Sequence, residues 1–170
     1  MEFRLAGAQF TVAVLTLRAP VSSAYFLADV DAGVYDGSGV FRIVKLGNQC
    51  PEVEPKIEVM QMGHRAADES LPASIAHETT GMSGLRHRAG TISLARFAPG
   101  AVYHSVFVCM RDEPCLDEGG ARHPDGLGFA AFGHVEQGFD VLSRLFAEHS
   151  SDSEYLVDPI RIDPARRISG

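Results

Sequence analysis

Apolar residues in this chain come in short bursts, and most bursts are too short to be helices. Phe10 to Arg18 (FTVAVLTLR) is rich in β-branched and aliphatic residues alternating between two apolar-leaning faces, which predicts a strand. Ala19-Pro20 ends it. Pro20 suits the first turn of a helix, where its missing N–H is not needed. Val21, Ala24, Leu27 and Val30 then recur at helical spacing beside Phe26, and Gly33 closes the run. This pattern predicts an amphipathic first helix that covers an apolar surface. Asp36-Gly37-Ser38-Gly39 is a turn signal. Strands are expected at Val40 to Leu46, Lys56 to Met62, Gly90 to Phe97, Ser105 to Met110 and Phe129 to Val135. A last strand is expected from Pro159 to near Ile168. Phe139, Leu142 and Leu145/Phe146 mark a second helix. His64 to Arg88 reads as a long polar connection, Asp117 to Gly128 as a glycine-rich loop, and Ser150 to Glu154 as a solvated loop.

Many short strands with two helices far apart in sequence disfavour a doubly wound sheet. They favour a β-barrel or sandwich with helices at its ends. The 170 residues match one domain spanning 1–170, large enough to bury a core without staples. A formal net charge of -7 argues against a broad nucleic-acid footprint. No apolar run approaches the ~20 residues of a membrane span. Met1 to Ala6 shows no basic region followed by an apolar block, so no leader is legible. Cys50, Cys109 and Cys115 are odd in number and fit no metal or redox spacing, so a disulfide framework is not expected and a reducing cytoplasm is the default. A periplasmic home would need a leader already removed. The seven histidines form no HExxH pair and join no cysteine in a ligand spacing, so no metal is expected. Ser93 and Ser105 have no His–Asp pattern near them in sequence that would identify a catalytic triad.

Three long blocks carry a family resemblance. Ala19 to Val44 (APVSSAYFLADVDAGVYDGSGVFRIV), His77 to Arg96 (HETTGMSGLRHRAGTISLAR) and Gly126 to Leu142 (GLGFAAFGHVEQGFDVL) resemble segments of a bacterial cyclophilin, and Lys56 to Gly63 (KIEVMQMG) resembles the strand whose glutamine enters that family's groove. The resemblance covers nearly the whole chain in register. It implies an eight-stranded antiparallel closed β-barrel capped by two α-helices, with a substrate groove on the outer face. The implied activity is cis/trans isomerisation of X–Pro peptide bonds in protein folding, without cofactor or metal. The implied partners are proline-containing peptides or unfolded clients, met by a monomer, without nucleic acid or membrane.

Residue by residue, Arg42 matches the family's catalytic arginine. Gln61 matches the groove glutamine that orients the substrate backbone, and Phe107 the floor of the proline pocket. Leu116 and one of Val59 or Met60 would supply the pocket's apolar walls, and Phe129 stands at the groove rim. Arg96 and Ser105 fall at further groove positions. Several positions depart from the pattern. Phe41 stands where the family has His or Tyr before the arginine, and Phe97 follows Arg96 where eukaryotic members have Asn-Ala. Ser105 replaces a longer polar residue, and Phe129 replaces His or Tyr. Cys115 stands where the best-known members carry a drug-contacting tryptophan, so cyclosporin-type macrocycles are expected to bind weakly at most. Phe97 narrowing a secondary pocket and Ser105 leaving substrate groups unpaired would both weaken catalysis. The expectation is reduced activity, with a catalytically weak proline-peptide binding or chaperone module as the alternative.

Overall fold

The computed structural model describes residues 1–5, 7–65, 73–149 and 151–168; the middle of the expected His64–Arg88 connection and the first residue of the expected Ser150–Glu154 loop lie outside these. Nine strands and three helices follow in chain order among the described residues: β1 (Glu2–Leu5), β2 (Ala8–Val14), α1 (Pro20–Asp31), β3 (Gly39–Val44), β4 (Val59–Gly63), β5 (Ala73–Ser74), α2 (Thr80–Ser83), β6 (Thr91–Arg96), β7 (Ala101–Cys109), β8 (Ala131–Gln137), α3 (Phe139–Glu148) and β9 (Tyr155–Arg166). The sheet runs β4-β3-β9-β1-β2-β8-β6-β7, and the β4–β7 pairing closes it into an eight-stranded antiparallel barrel. The two-residue β5 adds to the side of β7. Closure removes the unpaired edges that an open sheet would expose.

The barrel is filled, not hollow. Phe3, Phe10, Phe26, Tyr35 and Phe132 form a contiguous aromatic cluster inside it, with centroid spacings of 4.8 to 6.1 Å. Aliphatic and methionine side chains from β3, β4, β6 and β7 complete the interior. Phe3 and Leu5 come from β1, a strand too short and too interrupted by charge to stand out in the sequence.

Helix α1 begins at Pro20 and ends before Gly33, as its sequence signals predict. At its C-terminus the Gly33 amide donates to the Val30 carbonyl and the Val34 amide to the Asp29 carbonyl, with Gly33 in the left-handed region at φ 70°. The face it buries differs from the stripe read in the sequence. Ser22, Ser23, Phe26, Asp29 and Val30 are buried, whereas Val21 and Leu27 are half-buried and Ala24 is exposed. Polar groups pack inward because partners wait for them. The Glu78 carboxylate accepts from the Val21 amide at 3.0 Å, the Ser22 amide at 2.7 Å and the Ser22 hydroxyl at 2.7 Å. A distant acid thus satisfies the orphan donors of a helix whose own N-cap, Ala19, offers no side-chain acceptor. Asp29 accepts from His104 at 2.9 Å. Helix α3 does bury its sequence stripe, with Leu142 fully buried and Phe139, Leu145 and Phe146 packed around it.

Several strand boundaries also move: β4 starts at Val59 rather than Lys56, β7 at Ala101 rather than Ser105, and β3 ends at Val44 rather than Leu46. β2 stops at Val14, and Leu17 is exposed on the turn that follows. β9 starts at Tyr155 rather than Pro159. Its register slips on β3 between the Val40–Ile160 and Arg42–Tyr155 pairs, and on β1 between the Glu2–Arg166 and Arg4–Asp163 pairs. Pro159 and Pro164 sit inside those slips, where the ladder does not need the donor that proline lacks.

Candidate active site

The outer face of the barrel carries a second, smaller apolar cluster: Val44, Ile57, Val59, Ala95, Phe107, Cys109 and Leu116. Strand alternation separates it from the interior. On β4, Met60 and Met62 point inward while Val59 and Gln61 point outward; on β7, Val106 and Val108 point inward while Phe107 and Cys109 point outward. β3 would break this scheme if it were regular, because Val40 faces inward and Arg42 would then follow it. A β-bulge prevents that. Val40 pairs with Met62 but Arg42 pairs with Gln61, so Phe41 is the extra residue and Arg42 is turned to the outer face.

There Arg42, Gln61, Val59, Ile57, Ala95, Tyr103, Phe107, Leu116, Phe129, Arg96 and Arg122 line a cleft of about 140 Å³. An apolar cavity of roughly 150 Å³ admits benzene, so the space suits a pyrrolidine ring. Phe107 is its floor, and Phe129 meets it edge-on at 5.4 Å and 89°. Leu116 reaches the cleft from a 3-10 turn, Pro114–Leu116. The polar wall is one connected network. Arg42 Nη1 donates to Gln61 Oε1 at 3.2 Å; Gln61 Nε2 donates to the Tyr103 hydroxyl at 2.9 Å and to Ser105 Oγ at 3.1 Å. Ser105 in turn donates to the Met62 carbonyl. Burial raises the Tyr103 pKa, with the Gln61 bond and Arg42 opposing, so the phenol stays protonated.

Several sequence expectations are corrected. Of the pair Val59 or Met60, Val59 lines the cleft; Met60 is fully buried in the interior because it lies on the opposite face of β4. Ser105 is fully buried behind Gln61 and meets no substrate surface. Phe97 does not line this cleft. It lies half-exposed, stacked on Tyr103 at 4.8 Å. Arg96 lines the cleft, yet its donors are already engaged: Nη1 and Nη2 hold Asp125 at 2.8 and 2.9 Å, and Nε and Nη2 hold the Gly128 carbonyl at 2.8 and 2.6 Å. It is a strut for the rim loop, with its guanidinium 5.1 Å from the Phe129 ring centroid. Glu154 is not a solvated loop residue. Its Oε2 accepts from Arg42 Nε at 2.9 Å and Nη2 at 2.5 Å. Tyr155, next in sequence, lies under the same guanidinium at 5.4 Å. Glu154, Tyr103 and Arg122 carry no periodic signal, and sequence reasoning missed all three.

A Ser–His–Asp arrangement does form, from residues with no telling spacing along the chain. His87 Nδ1 lies 2.8 Å from Asp117 Oδ1 and Nε2 lies 3.1 Å from Ser93 Oγ. Burial works against the Asp117 charge, but the His87 hydrogen bonds outweigh it and hold that carboxyl below its usual range. With Asp117 ionised, Nδ1 donates to it and Nε2 accepts from Ser93. All three are buried, and His87 stacks on Phe107 at 6.0 Å. The trio braces the cleft floor and has no substrate access. Burial, with Glu113 beside it, pushes the Cys115 thiol up to about 11, which keeps it a poor nucleophile.

A closed barrel with an outer cleft of one arginine, one glutamine and an aromatic floor defines a protein built to hold a small apolar ring beside a fixed hydrogen-bond donor. The family model for cyclophilin type peptidyl-prolyl cis-trans isomerases matches residues 1–167, and the chain belongs to that family. A peptidyl-prolyl cis-trans isomerase of Streptomyces antibioticus is 25% identical over 176 residues, covering 98% of this chain and 96% of the relative. A cyclophilin type isomerase of Cryptosporidium parvum, crystallised in the presence of the dipeptide Ala-Pro, superposes with a TM-score of 0.70 at 18% identity, covering 98% of this chain and all of the other. A second structure of that protein gives a TM-score of 0.71 at 18% identity, with 98% and 97% covered.

Proposed function

We propose that this cleft catalyses rotation about X–Pro peptide bonds, with activity reduced by the carboxylate that holds Arg42. The amide C–N bond resists rotation by ~18–20 kcal/mol because of its double-bond character. No nucleophile or base is needed. The site must grip the proline ring and stabilise the twisted amide better than either planar form. Phe107, Leu116, Val59 and Phe129 would hold the ring. As the amide twists, its nitrogen becomes pyramidal and its lone pair localises. Arg42 sits at the polar edge of the ring site, and its remaining N–H groups would donate to that lone pair. Gln61 is itself held by Tyr103 and Ser105, so it fixes one side of the guanidinium. Such preorganised donors cost no rearrangement during reaction.

The observation that carries this reading is the placement of Arg42 by the Phe41 bulge, with Gln61 and Phe107, around one cleft. Phe97 and Ser105 do not line the proline cleft, and the source of weakening proposed here lies at Arg42 itself. Glu154 takes two of the donors of Arg42 and offsets its charge. Exchange NMR on X–Pro peptides tests the proposal. Accelerated cis/trans exchange that Arg42→Ala abolishes supports it. No acceleration at high protein concentration, with peptide still bound, would leave the binding-module alternative. The same cleft lacks an indole at Cys115, so cyclosporin-type macrocycles are proposed to bind weakly; nanomolar affinity by calorimetry would contradict that.

A further inference from the structure

Three guanidiniums face the cleft, and two are matched. Arg42 pairs with Glu154 and Arg96 with Asp125. Among the described residues, Arg122 has no carboxylate partner. It is half-buried, and its single side-chain hydrogen bond runs from Nη1 to the Pro55 carbonyl at 2.9 Å. Its position is fixed, because the Arg122 amide donates to the Cys115 carbonyl at 3.1 Å and Gly120 packs where a Cβ would collide with that same carbonyl. Burial first, and then Arg42, pull its pKa down, with Glu154 opposing, so its surroundings work against its positive charge. An unpaired charge held beside an apolar cleft is costly, and an arriving anion would relieve that cost.

We propose that Arg122 reads an acidic side chain within a residue or two of the proline, so that this site prefers acidic X–Pro peptides. The inference rests on the cleft being the peptide site. A carboxylate fits better than a more highly charged anion, because among the described residues lining the cleft Arg122 is the one cation without a carboxylate partner, and it keeps enough free donors for a two-point contact with one carboxylate. The preference works through Arg122 and leaves the ring site unaltered, so it is a property of substrate choice rather than of bond rotation.

The test is an NMR titration of the labelled protein with three short X–Pro peptides that differ at one flanking residue, Glu, Gln or Lys, placed in turn before and after the X–Pro pair. The Glu peptide is expected to bind roughly three- to tenfold tighter than the Gln peptide, as befits a partly buried ion pair, with the Lys peptide weakest. Added salt should shrink that ratio. In Arg122→Gln the Glu and Gln peptides should bind alike, and Arg122→Lys should keep part of the preference, since the charge remains. If Arg122→Gln does not fold, the Lys variant and the salt dependence decide. Equal affinities in the wild type, or a Glu preference that survives Arg122→Gln, would overturn the inference while leaving the cleft as the peptide site. Failure of all three peptides to bind would overturn the site and the inference together.

Discussion

The interior of the barrel and the cleft on its outer face are built from the same strands, yet they obey different rules. The interior is closed, aromatic and aliphatic, and carries its large side chains at or near zero exposure. The cleft holds a thin apolar floor ringed by guanidiniums, each fixed by a residue distant in sequence: Glu154 lies 112 residues from Arg42, and Asp125 lies 29 from Arg96. Packing makes the first region, and hydrogen-bond geometry makes the second. Stability and activity should therefore separate between them.

Arg42→Ala is the sharpest way to break that separation. Removing a preorganised donor from a reaction centre costs roughly 10²–10³ in rate. The Arg42–Glu154 pair is partly solvated, with side chains 24% and 18% exposed, so stability should change by no more than about 1 kcal/mol. Exchange NMR and urea unfolding on the same variant read both numbers. A large loss of stability with a small loss of rate would reverse the assignment of the two regions.

A matched phenylalanine pair comes next. Phe132 is fully buried inside, and Phe107 is 6% exposed on the cleft floor. Phe132→Ala should cost about 3–5 kcal/mol of stability. Phe107→Ala should cost less, because one side of its ring already faces open space, but should reduce kcat/KM by roughly ten- to hundredfold through loss of ring contact. Urea midpoints and peptide kinetics decide between them. Similar stability losses without a difference in rate would mean that Phe107 is ordinary core.

This contrast also explains what could be read from the sequence. The interior was legible where alternation and helical periodicity are strong, as in β4, β6, β8 and α3. It was illegible in α1, where Glu78 and His104 supply partners that let serines and an aspartate turn inward, and no local pattern reveals a partner 56 or 75 residues away. Arg42, Gln61 and Phe107 were found through long family-like blocks, not through periodicity. Their common orientation depends on one extra residue, Phe41, and a bulge leaves no mark in hydropathy. Met60 was ambiguous with Val59 for the same reason, since a shift of one residue exchanges the two faces. Glu154 and Arg122 were missed because loop residues acquire partners only once the barrel has closed.

Glu154→Gln probes the electrostatic part of the cleft with a smaller effect. Glutamine keeps an acceptor for Arg42 but removes the charge that offsets it. The uncompensated guanidinium should stabilise the twisted amide better and raise kcat/KM roughly two- to fivefold, the scale of a partly exposed ion pair. KM should move less than kcat, because the gain falls on the transition state. A fall in kcat instead would make Glu154 a positioning group and remove the proposed cause of weak activity.

The smallest effect is expected at the rim, and pH is the way to see it. Hydrogen bonds from Arg96 hold the Asp125 carboxyl well below its ordinary value of 3.8. The folded state therefore binds this proton less readily than the unfolded chain does. The stability contributed is complete above 3.8 and is lost as pH falls from there through the depressed folded value. Asp125 is partly solvated, so the contribution should stay under about 1 kcal/mol. Wild type should exceed Asp125→Asn in unfolding free energy at neutral pH, and the gap should close on the acid side of 3.8. Interior variants such as Phe132→Ala carry no titrating group and should keep a constant offset from wild type across the same range. A gap for Asp125→Asn that likewise ignores pH would show that the Arg96 strut works through shape alone, and that the charge at the rim contributes nothing to holding the cleft open.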